Sequence, residues 1–95
     1  MRIILYSKPG CHLCEGLQQK LEQIQNLNIE LVIRDITSSE DWLKAYQYEV
    51  PVLYLAEEET ETLQPIPRPS PRANVKQLEQ LLLKYIPNTE KNNAK

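Results

Sequence analysis

Two short apolar runs, Arg2 to Ser7 and Ile29 to Asp35, flank about twenty residues that read mostly as helix. Parallel strands cannot be joined by a tight turn; they need a crossover of a dozen or more residues, usually helical, and it is right-handed. This strand–helix–strand unit therefore commits the chain to an α/β sheet in which these two strands are parallel. The first run, Ile3-Ile4-Leu5-Tyr6, is apolar without clean alternation. That pattern predicts a strand covered on both faces. In the helix between, Leu13, Leu17, Leu21 and Ile24 recur at helical spacing, which predicts one apolar stripe. Gly16 sits inside that helix at a cost of about 1 kcal/mol relative to alanine.

The rest of the chain extends the sheet. Thr37-Ser38-Ser39-Glu40-Asp41 combines N-cap residues with acids, a helix start. The short helix that follows should turn Trp42, Leu43 and Tyr46 inward and end near Tyr48. Val50 to Leu55 reads as a third strand, with Pro51 in its first position, where a missing N–H does least harm. Glu57 to Glu61 reads as a charged, solvated hairpin turn that protects a sheet edge. Thr62-Leu63-Gln64 is a weaker edge strand. Pro65 to Pro71 holds four of the seven prolines and is expected to be irregular. A last helix carries Val75, Leu78, Leu82 and Tyr85. Its start is open between an Asn74–Gln77 capping box and a Ser70–Pro71 pair. The expected order is β-α-β-α-β-β-α, an α/β sandwich on a four-stranded mixed sheet. It occupies residues 1–87, with a polar, frayed tail at 88–95.

Composition narrows the function. Eleven basic and thirteen acidic residues give a net charge of −2, against a broad sequence-independent nucleic-acid binder. The longest apolar run, Val50 to Ala56, is far short of the about 20 residues that span a membrane. Two cysteines three positions apart cannot staple distant segments. The expectation is a cytoplasmic protein with neither a nucleic-acid nor a membrane partner.

The chemistry centres on Cys11-His12-Leu13-Cys14, between the first strand and the first helix. Cysteines at i and i+3 on a first helical turn come close enough for a disulfide. The N-terminal N–H groups and helix dipole stabilise a thiolate there. Cys11, at the exposed end, is the expected nucleophile. Cys14, turned into the helix, is the expected resolving thiol. Lys8 and His12 are cations placed to tune Cys11. The plainer readings are inert structural cysteines and a solvated Lys8. A structural zinc site needs four ligands, and two cysteines with one histidine do not supply them. Trp42, Leu17 and Leu21 read as core.

The run Tyr6-Ser7-Lys8-Pro9-Gly10-Cys11-His12-Leu13-Cys14 closely resembles the active-site segment of glutaredoxins. There a strand ends in Ser-Lys and C-x-x-C opens a helix. Val50-Pro51, forty positions after Cys11, resembles the cis-proline segment of the thioredoxin superfamily. The resemblance spans about residues 2 to 86 and is nearest to small glutaredoxin-like proteins. It implies a thioredoxin-like fold and a thiol–disulfide oxidoreductase with no tightly bound metal or organic cofactor. It further implies a cis Pro51 with the Val50 backbone open to a peptide or to glutathione, and Lys8 contacting a glutathione carboxylate. The partners implied are a disulfide-containing protein or a low-molecular-weight thiol, with glutathione or a reductase restoring the dithiol.

Several positions depart from the family pattern. His12 and Leu13 stand where glutaredoxins carry proline and an aromatic residue, and Glu49 stands for their threonine. Pro65 to Arg72 replaces the Gly-Gly-acid segment that holds the γ-glutamyl end of glutathione. Leu5 stands where thioredoxins bury an aspartate. On the replaced segment, Arg68 and Arg72, with Ser70, would form a basic rim beside Lys8. Arginine forks suit carboxylates and phosphates, so the rim would take an anionic thiol or an acidic partner segment. The plainer reading is two solubilising arginines. Two other classes are carried along: a redox-inactive module binding peptide at Val50-Pro51, and a dimer bridging an iron–sulfur cluster through two Cys11 side chains and external thiols.

Overall fold

A computed structural model describes residues 2–56 and 63–85. The elements are β1 (Arg2–Ser7), α1 (His12–Gln23), β2 (Glu30–Asp35), a 3₁₀ turn (Ile36–Ser38), α2 (Glu40–Tyr46), β3 (Val52–Ala56), β4 (Leu63–Ile66) and α3 (Val75–Leu83). The sheet order is β2-β1-β3-β4. β1 and β2 are parallel, as the crossover requires, and β1–β3 and β3–β4 are antiparallel.

The absence of alternation in β1 has a direct structural cause: both faces of the strand are covered. Ile3 and Leu5 point into one core with Leu17, Leu21 and Ile24 of the α1 segment, Leu53 and Leu55 of β3, Ile66, and Leu78 and Leu82 of α3. Ile4 and Tyr6 point the other way, onto Ile36, Trp42, Leu43 and Tyr46. Tyr6 is buried with a satisfied hydroxyl: Arg34, its register partner on β2, donates from Nη1 at 2.9 Å. The Arg34 guanidinium also lies 5.4 Å from the Trp42 ring centre and 5.6 Å from that of Tyr6, within cation–π range.

The helix starts are set by side chains. Ser39 caps α2 through its hydroxyl and the Trp42 N–H. For α3, Asn74 and Gln77 make the reciprocal capping box, at 2.8 and 2.9 Å, and this choice settles the two starts that the sequence left open.

Three expectations are corrected. Leu13 lies on the apolar stripe but is 48% exposed, because the stripe meets the core only from Leu17 onward. α2 ends at Tyr46, and Tyr48 stands in solvent. Pro65 and Ile66 are strand residues, paired with Tyr54 and Leu53. An edge strand tolerates the proline, and burial of Ile66 anchors it. The expected hairpin turn at Glu57 to Glu61, with Thr62, and the tail at 88–95 lie outside the described residues. No helix among the described residues is long and apolar enough to cross a membrane.

Candidate active site

β1 delivers the chain to the site, and the turn after it sets the angle of α1. The Cys11 N–H donates to the Lys8 carbonyl at 3.1 Å, closing a four-residue turn. Gly10 has φ +79°. Proline second and glycine third, with positive φ at the glycine, is the type II pattern. A side chain at position 10 would be forced into the left-handed region.

Cys11 is the N-cap of α1. Its backbone is extended, and its sulfur accepts the Cys14 N–H at 3.3 Å. Its carbonyl takes the first helical bond, from Glu15 N–H at 3.0 Å. The sulfur thus occupies the place of a capping oxygen at the start of the helix. Both thiols are free; Cys11 is half-buried and Cys14 fully buried. Burial pushes the Cys14 thiol up, and the Cys11 sulfur adds to this. The Lys8 backbone and the Ser7 hydroxyl act in the opposite direction.

His12 is the first residue of α1, with a side chain 96% exposed and 3.9 Å from the Glu15 carboxylate. It is an ion pair only when the imidazole is protonated, and in solvent it contributes little. Lys8 is exposed on the turn. The Val50–Pro51 peptide bond is cis, and Pro51 is buried. The Val50 N–H, expected to be open to a peptide, instead donates to the Tyr46 carbonyl at 3.0 Å. Pro51 has no N–H to offer in its place.

Beside the start of α1 lies a cleft of about 140 Å³. Residues His12, Leu13, Gly16, Leu17 and Lys20 form one wall; Pro51 and the segment from Arg68 to Pro71 form another. Two hydrogen bonds set its width. Lys20 Nζ donates to the Pro71 carbonyl at 2.8 Å, and Arg68 Nη2 donates to the Glu49 carbonyl. The proline-rich segment is thereby tied to α1 at one end and to the cis-proline loop at the other.

The basic rim is differently composed from the sequence expectation. Arg68 and Ser70 line the cleft, but Lys8 and Arg72 do not. Arg72 sits in an exposed turn, its backbone N–H bonded to Ser70 Oγ at 3.2 Å. Lys20 takes its place. The signal for it was present: His12, Gly16 and Lys20 lie at i, i+4 and i+8, one helix stripe beside the apolar one. Among the described residues, no three His, Cys, Asp or Glu side chains are grouped so as to hold a metal ion.

The sequence matches the family model of the Glutaredoxin-like domain (DUF836) over residues 2–83. Among solved structures, a structural-genomics target protein from X. campestris is similar with a TM-score of 0.58 at 22% identity, covering 90% of this chain and 99% of its own. A malarial protein is similar with a TM-score of 0.61 at 16% identity, covering 90% and 97%. Thioredoxin 1 from the thermophilic eubacterium Thermosipho africanus gives 0.54 at 16% identity, covering 98% and 99%. At these identities the likeness establishes the fold alone. No curated protein matches the sequence.

Proposed function

The chain belongs to the family of glutaredoxin-like domains and has the thioredoxin-like fold, and on that premise we propose that it is a thiol–disulfide oxidoreductase working through Cys11 and Cys14. The observation that carries this reading is the capped sulfur: Cys11 Sγ accepts the Cys14 N–H at 3.3 Å at the half-exposed mouth of α1. The contact that starts the helix also holds this sulfur at a fixed place beside the buried Cys14, where an incoming disulfide can reach it first.

The reaction balances with no resident cofactor. Cys11 thiolate attacks one sulfur of a substrate disulfide; a Cys11–substrate disulfide forms, and the other substrate sulfur leaves as a thiolate and takes a proton. Cys14, once deprotonated, attacks Cys11 Sγ and expels the second substrate thiol. Two electrons pass from the protein dithiol to the substrate disulfide. Two equivalents of a thiol such as glutathione, or a dithiol reductase, return the protein to its starting state. The substrate is a disulfide-containing protein or a low-molecular-weight disulfide. Raised affinity of Cys14 for its proton keeps it a thiol until Cys11 has reacted, which suits a resolving role.

The test is a trap. Cys14→Ser, offered a small disulfide, should accumulate a mixed disulfide at Cys11 by intact mass. Cys11→Ser should form none, and wild type, unlike Cys11→Ser, should turn over with excess glutathione. If Cys11 in Cys14→Ser stays unmodified under these conditions, the reading fails, and the binding-module alternative takes its place.

A further inference from the structure

Gly16 is the fifth residue of a twelve-residue helix. Glycine at such a position costs about 1 kcal/mol relative to alanine. Two structural needs justify that cost elsewhere: a left-handed backbone, or a neighbour too close for a Cβ. Neither holds here. Gly16 is helical, and a Cβ built on it meets nothing within 4 Å. The space in front of it is the cleft between α1 and the proline-rich segment. The fold does not ask for this glycine, and a long side chain here would project into the cleft.

The lining says what that is. The base is apolar: Leu17 and Leu78 are 7% and 1% exposed, and Pro51 is buried. Leu13 adds a half-exposed apolar lip next to the cysteine pair. The cleft is about 140 Å³; an apolar cavity of about 150 Å³ holds benzene, so it has room for one leucine or phenylalanine side chain. Around this base stand Lys20 and Arg68, with His12 at the mouth, and among the described residues no Asp or Glu lines it. Each cation uses one N–H on a backbone carbonyl. An ammonium carries three donors and a guanidinium five, more than these two bonds use.

We propose that Gly16 is a specificity-determining residue: it keeps open a cleft that takes a leucine or phenylalanine side chain of the substrate, adjacent to the disulfide cysteine and flanked by a carboxylate that Lys20 and Arg68 bind. This rests on the oxidoreductase reading and names its substrate class, an acidic peptide with an apolar residue beside its cysteine. Glutathione has the carboxylates but no apolar side chain to fill the cleft.

The experiment oxidises the pre-reduced protein with symmetrical disulfides of Cys-Phe-Asp, Cys-Ser-Asp and Cys-Phe-Lys. Quenched alkylation and mass spectrometry follow the reaction, and each rate is expressed relative to that of 2-hydroxyethyl disulfide. In wild type, Cys-Phe-Asp should react faster than Cys-Ser-Asp by about tenfold, the factor given by about 1.4 kcal/mol of apolar burial. Gly16→Leu, which fills the cleft, should bring that ratio close to one, and Gly16→Ala should leave most of it. Lys20→Gln, which keeps a donor for Pro71 but loses the charge, should erode the preference for Cys-Phe-Asp over Cys-Phe-Lys and spare the preference for Phe over Ser. Equal rates for the three peptides in wild type, or a Phe preference that survives Gly16→Leu, would overturn the proposal while the oxidoreductase reading stands. Failure of 2-hydroxyethyl disulfide itself to oxidise Cys11 would sink both.

Discussion

The Cys14 N–H donates to the Cys11 sulfur at 3.3 Å, so the residue expected to do the chemistry is also the residue that starts the helix. Stability and reactivity then share one contact, and substitutions at Cys11 separate them. Serine is among the best N-caps, and replacing a good cap by alanine costs about 1 kcal/mol. Cys11→Ser should therefore melt at or above the wild-type temperature, and Cys11→Ala below Cys11→Ser. Both should lose exchange activity altogether. Calorimetry with a disulfide-reduction assay on the same preparations checks this. A Cys11→Ala variant as stable as Cys11→Ser would mean that the sulfur contact caps nothing.

Burial pushes the Cys14 thiol up, which orders the two cysteines toward an alkylating agent. At neutral pH, iodoacetamide should label Cys11, with Cys14 unlabelled until the pH rises or the chain unfolds. The same shift has a stability consequence. A folded-state pKa above the unfolded one means that the folded protein holds the proton more tightly. The contribution is complete below the ordinary thiol range and is lost as pH rises through the folded value. Peptide mapping after timed labelling at several pH values reads the first effect. Faster labelling of Cys14 than of Cys11 in the native state would reverse the assigned roles.

The two glycines of the described chain should respond oppositely to alanine. Gly10 has φ +79°, and an L-residue forced there is strained by about 1–2 kcal/mol. It also sets the turn that aims Cys11, so Gly10→Ala should lower both the melting temperature and the exchange rate. Gly16→Ala adds a Cβ in open space and should stabilise by about 1 kcal/mol. Urea unfolding of both variants measures the two signs; a stabilised Gly10→Ala would rule out the turn assigned here.

Much of this was legible because the chain repeats its message at several levels. Apolar residues on every position of Ile3 to Tyr6 announce a strand with two covered faces, and the crossover length forces its partner to be parallel. C-x-x-C at the junction then falls on an N-cap by construction. Misreadings arose where pattern is silent about extent. The spacing of Leu13, Leu17 and Leu21 gives the side of the helix that faces the core, but not where the opposing layer stops. Pro65 looked incompatible with a ladder and is accommodated because β4 is an edge. The Lys20–Pro71 and Arg68–Glu49 links join segments distant in sequence, and nothing in either segment alone names its partner. They, more than the arginine count, decide which cations border the cleft.

On the far face of the sheet, Tyr46 and Tyr54 share a hydroxyl–hydroxyl contact of 3.3 Å beside Tyr6. That bond, reinforced by burial, pushes the Tyr46 phenol up to about 12. Removing its proton leaves a phenolate among aromatic rings, where it is poorly solvated. The unfolded phenol titrates near 10, so the folded state holds this proton more tightly. The stabilisation is therefore complete below about pH 10 and is lost as pH approaches 12. Ultraviolet titration should show one tyrosine ionising later than the others, together with loss of the native fold. In Tyr46→Phe that late step should disappear, and the Tyr54 hydroxyl loses its partner, for a moderate loss of about 1 kcal/mol at neutral pH. The cluster lies across the sheet from the α1 cleft, so disulfide exchange at neutral pH should be unaffected. A Tyr46→Phe variant that titrates like wild type would show that the contact does not govern the phenol.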